Sequence, residues 1–172
     1  MRSKDATLFR VAGWSAYVSS IVSAIGIAFL LLLYAGFFAN VEPLLVFGPL
    51  NDVMVIVQYI LALPVVVSLH RILRPRSPGL SLLAMVAALV GTGGVVMFQL
   101  LLLAGTMSFS EQVGYVSTFL LVLGAWIVIT SLLGRRSGLL RLSVPAIILG
   151  ALYLGYPLWA YRVGQQLLAR SV

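Results

Sequence analysis

In a chain dominated by apolar residues, Asn51, Asp52, Gln58, Gln99, Glu111, Tyr115, Tyr156 and Arg162 are the side chains with chemistry to offer. Acids, amides, phenols and a guanidinium can exchange a proton, hold a polar solute or bond one helix to the next. Catalysis asks for more. Lys4 is the sole lysine and lies outside the apolar runs, so it cannot carry a retinal-type Schiff base within them. His70 is the sole histidine, which rules out bis-histidine haem ligation and multi-histidine zinc within the chain. Cysteine is absent, removing thiol nucleophiles and iron–sulfur ligands. Asp52 has no second acid on an apolar run to form a protease dyad, and no Gly-x-Ser-x-Gly segment presents a serine. Gly91-Thr92-Gly93-Gly94 sits in the middle of an apolar run without a phosphate-binding lysine, so Gly91 and Gly94 read as sites of close helix packing. We expect no enzyme, no cofactor and no metal.

Spacing sorts the polar residues onto faces. At about 100° per residue, Asn51, Asp52, Gln58, Tyr59 and His70 fall within an arc of about 120°. Ser81, Ala88, Thr92, Gln99 and Thr106 fall within about 40° by the same arithmetic. Gln58 lies seven residues inside Asn51 and Gln99 seven inside Thr106, which places both roughly 10 Å below one boundary and predicts a Gln58–Gln99 bond. Tyr156, Tyr115, Glu111 and Arg162 are candidates for the same layer, with Arg162 neutralising Asp52. The plainer reading is architectural: amides bond neighbouring helices, Asn51 or Asp52 caps a helix, and Ser108 with Glu111 forms a capping box. Ala16, Ser20, Ala24 and Ala28, at four-residue spacing, make a smooth face for helix packing. Asn51-Asp52 and Glu111-Gln112 recur at an offset of sixty residues, a similarity that two hairpins of one orientation share by chance.

These residues need helices in a membrane to position them. With 62% hydrophobic and 9% charged residues, the chain has too much apolar surface to wrap around a water-facing core. Of its 11 basic residues, nine form three clusters: Arg2/Lys4/Arg10, Arg71/Arg74/Arg76 and Arg135/Arg136/Arg141. The runs between them, 11–70 and 77–134, are each long enough to cross a bilayer and return. The reading is an all-α, polytopic transmembrane bundle of five helices in a single domain, spanning about 11–38, 50–70, 79–105, 110–133 and 143–162. The clusters face the cytoplasm by the positive-inside rule, which with five spans puts the N-terminus inside and the C-terminus outside. Asn40, Pro43, Gly48 and Pro49 break the first hairpin, while Pro75, Pro78 and Gly138 mark tight turns. Pro64 and Pro157 are candidate kinks, and 163–172 is too short to span.

Phe9-Arg10-Val11-Ala12-Gly13, Leu69-His70-Arg71-Ile72-Leu73-Arg74-Pro75 and Leu80-Ser81-Leu82-Leu83-Ala84 together resemble a bacterial family of multi-pass membrane proteins known as a domain of unknown function. The resemblance covers the first half of the chain best. It implies a helical bundle in a bacterial inner membrane and assigns no catalytic or binding residue. The expected partners are membrane lipids, the anionic headgroups meeting the arginines, and other membrane subunits or further copies of the chain; no basic stripe interleaved with aromatics offers a nucleic-acid platform. Two functions follow. The first is a non-catalytic membrane subunit or scaffold, holding lipid or quinone between helices. The alternative is a small transporter or ligand-binding module that uses the outward polar layer, with Asp52 as the titrating group.

Overall fold

Turn residues and arginines divide the apolar sequence into antiparallel helices, and a computed structural model describes residues 3–138, 140 and 155–171 of the chain. Helix α1 runs over Ser3–Ala39 and stops at Asn40, whose φ of 55° is a left-handed geometry that asparagine tolerates better than most residues. A 3₁₀ turn at Glu42–Val46 with Pro43 in its first turn leads into α2, Phe47–Leu73. Pro78 starts α3, Pro78–Leu103. Helix α4, Phe109–Arg136, begins with a complete capping box, in which Glu111 N–H donates to the Ser108 hydroxyl and Ser108 N–H to the Glu111 carboxylate. Gly138, at φ 67°, ends the following turn.

These four helices are long and apolar enough to cross a membrane, and they match the first four expected spans except that α3 ends at Leu103, two residues before the expected 105. The fifth differs. Residues 143–154 of that expected span lie outside the described residues, and the described helix α5 covers Tyr156–Ala169, continuing past the expected end at 162 into the supposed tail. Pro157 stands in its first turn, where the missing N–H costs nothing, so it starts the helix and does not kink it. Fourteen residues make about 21 Å of helix, short of the roughly 20 residues needed to span.

Helix α5 lies antiparallel on the first half of α1. Ser20 Oγ donates to the Pro157 carbonyl at 2.7 Å, the Tyr156 hydroxyl meets Ser19 Oγ at 3.0 Å, and Leu168 lies over Gly13. A Cβ at Gly164 would stand 3.0 Å from the Gly13 carbonyl and 3.2 Å from the Ala16 Cβ, so the small residues bring the two helices together. Beyond Ala169 the chain reaches the arginine end, where Arg170 lines a cavity with Asp5, Arg71 and Arg74, and Arg71 binds Asp5 at 2.9 Å. The described ends of the chain therefore share one end of the bundle. The expectation of opposite termini does not match this placement of the described ends; among the described residues four helices are long and apolar enough to span, and Arg170 lies with Arg71 and Arg74.

Within the bundle, α3 packs between α2 and α4. Gly91 and Gly94 face α4, where an added Cβ would meet Leu123 and the Phe119 ring. Trp159 of α5 reaches across to α4, its indole Nε1–H donating to Ser131 Oγ at 2.9 Å and its ring lying edge-on to Trp126 at 5.3 Å. His70 bonds Ser81 at the α2–α3 turn, Nδ1 to Oγ at 2.8 Å.

Candidate functional site: a cleft above the short helix

Among the described residues, α5 packs against the first half of α1 and does not reach its second half. Tyr156 and Trp159, both buried, occupy the space between α1, α2 and α4, with Tyr156 beside Tyr59. One turn above Tyr59 on α2, at Val55, the space opens. A cavity of about 620 Å³ lies there between the second half of α1, the start of α2 and the α3–α4 turn, and it adjoins a deeper one of about 180 Å³. Both are lined by Leu30, Tyr34, Asn51, Asp52 and Phe109. Tyr34, Phe37 and Phe109 at the rim are exposed, so the cleft opens sideways, toward lipid in a membrane. Ala24 and Ala28 are also uncovered, whereas Ala16 and Ser20 of the same stripe lie under α5.

The polar residues of the cleft come from three helices. Asn51 and Asp52, neighbours on the second turn of α2, are each 8% exposed, and both line the two cavities. The Asn51 Oδ1 atom is buried without a hydrogen-bond partner among the described residues. On the opposite wall Gln112 Nε2 of α4 donates to Gln99 Oε1 of α3 at 2.8 Å, both side chains being buried. No basic side chain is among the described lining residues of either cavity.

The structure thus gathers Asn51, Asp52 and Gln99 of the expected layer, and adds Gln112. The others lie elsewhere. Gln58 is fully buried about 10 Å deeper on α2; its backbone carbonyl accepts from Ser19, and neither side-chain amide atom has a partner among the described residues. The expected Gln58–Gln99 bond is replaced by Gln99–Gln112. Helix α3 ends at Leu103, so Gln99 stands one turn from its end and not at the depth of Gln58. Tyr156 is the buried plug beneath the cleft. Glu111 is committed to its cap, and Tyr115 is exposed with its ring stacked on Phe98 at 4.6 Å. Arg162 does not pair with Asp52: it is exposed on α5, its Nη1 donating to Gln165 Oε1 at 3.4 Å. It lies two turns from Tyr156 toward the arginine end, while Asp52 lies two turns from Tyr59 in the opposite direction.

Gln112 and the aromatic rim went unassigned in the sequence reading. The recurrence of Glu111-Gln112 opposite Asn51-Asp52 was the one available sign of Gln112, since both pairs open helices at the same end. Among the described residues, no three of His, Asp and Glu gather as a metal site would require. The chain matches no protein-family description, no curated protein and no solved structure.

Proposed function

We propose that the protein is a non-catalytic membrane module that takes an amphiphilic molecule sideways from the bilayer into the cleft above α5. One observation carries this reading: Asp52 is buried against a cavity that opens sideways through an apolar and aromatic rim, with no cation among its described lining residues. A charged side chain within a bilayer is costly and usually faces a partner or a pathway. The expected architectural partner, Arg162, lies away from it. That favours ligand binding or transport over the subunit reading, which retains one specific support, the uncovered Ala24 and Ala28. The arginine end faces the cytoplasm of a bacterial inner membrane in this proposal, by the positive-inside rule and the resemblance of residues 9–13, 69–75 and 80–84, so the cleft opens in the outer leaflet.

The test is photolabelling in lipid vesicles with a neutral fatty alcohol that bears a diazirine. Adducts are expected on the cleft-facing residues of α1 and α4, and Leu30→Trp, which places an indole in the cavity, should remove most of them. Labelling spread evenly over the lipid-facing surface, and indifferent to Leu30→Trp, contradicts the reading.

A further inference from the structure

The polar groups in the cleft are mismatched in sign and in hydrogen-bonding type, and the mismatch specifies what would complement them. The Asp52 carboxylate offers two acceptor oxygens, and beside it the Asn51 Oδ1 is buried without a partner among the described residues, both side chains lining the same cavities. Gln112 has spent one amide proton on Gln99. The α2 floor therefore presents acceptors and a negative charge, and its missing complement is a donor or a cation. Arg71, Arg74 and Arg170 are gathered at the other end of the bundle, where Arg71 is bound to Asp5. The rim adds the aromatic side chains of Tyr34, Phe37 and Phe109, and aromatic faces attract cations through their quadrupole, more strongly where water is excluded. A phosphate, a carboxylate or a quinone carbonyl would bring further acceptors to the same floor.

Resting on the reading of the cleft as a binding site, we infer that its ligand is a lipophilic cation: an ammonium or similarly charged head on an apolar body. The head sits in the inner cavity against Asp52 and Asn51, and the body fills the outer cavity between Tyr34, Phe37 and Phe109. Binding requires no covalent step. The carboxylate and the cation neutralise one another inside the bilayer, which removes the cost of leaving Asp52 unpaired.

Tetraphenylphosphonium and tetraphenylborate have nearly the same shape and opposite charge, so they isolate the sign. Equilibrium dialysis against the intact protein in phosphatidylcholine nanodiscs should show saturable binding of the phosphonium and none of the borate. Asp52→Asn should weaken phosphonium binding by about tenfold or more, and Asp52→Glu should keep most of it. Phe109→Leu, which leaves the acid in place, should cost several-fold for the phosphonium and little for the neutral diazirine alcohol. Equal binding of the two ions, or an Asp52→Asn protein of unchanged helicity that binds the phosphonium like wild type, overturns the cation assignment. If the phosphonium fails to bind while the neutral alcohol still labels the cleft and is blocked by Leu30→Trp, the charge assignment falls and the binding site stands. If neither probe engages the cleft, both fall.

Discussion

Gln99 and Gln112 show why a polar residue on a helix can be read from sequence while its partner cannot. Alignment along one helix gives the direction of a side chain relative to its own axis, and that much was legible: Gln99 and Gln58 both face protein and both are buried. Which neighbour each meets depends on how the helices are rotated and staggered, and a shift of one turn in the end of α3 exchanged Gln58 for Gln112. Interhelical side-chain bonds in membranes average about 0.6 kcal/mol and reach about 1.7 kcal/mol. Replacing Gln99 or Gln112 alone with Leu strands the other amide, so each single change should lower thermal stability, and the double change should cost less than the two losses added. A double mutant whose loss equals that sum would remove the coupling. Gln58 should behave differently, since its amide has no described partner to strand.

At the scale of elements, the four long helices were legible because apolar length, arginine clusters and the Ser108–Glu111 cap are local signals. Helix α5 was not. An apolar run ending near 162 satisfies a hydropathy window whatever its partners, and the seat of α5 is set by contacts with α1 that lie 137 residues away in sequence. Gly155 and Pro157 were the local start signal, but Pro157 serves equally as a kink or as a first-turn residue. The seat of α5 depends on small residues, so Gly164→Leu is the sharpest perturbation. Its Cβ would already crowd the Gly13 carbonyl, and overpacking of this kind costs about 1–3 kcal/mol. The variant should lower the melting temperature and expose the bond after Arg170 to trypsin at the membrane surface. Unchanged protease resistance at full helicity would mean that α5 is held by contacts other than the Gly13–Gly164 approach.

For the whole molecule, the clustering of cations at alternate turns made the multi-pass arrangement readable, whereas most of the expected fifth span, residues 143–154, lies outside the described residues. The antiparallel seat of α5 on α1 brings both described ends of the chain to the arginine end. A reporter fused behind Ser171 should accordingly register in the cytoplasm, and a signal from the opposite side would contradict the proposed orientation. Among the described residues, the four long helices and the shorter α5 form two unequal halves: one plugged by Tyr156 and Trp159, and one with cavities beside Asp52. That asymmetry is the basis of the proposed function. Photolabelling with the neutral diazirine alcohol tests it most directly when read residue by residue along α4, because Ser117 and Leu120 line the cleft while Leu121, 76% exposed, faces away on the same turn. Adducts on Ser117 and Leu120 that saturate with added alcohol and vanish in Leu30→Trp, while those on Leu121 rise linearly and persist, are the predicted result; the same linear, unblocked labelling at all three positions would contradict a lateral binding cleft.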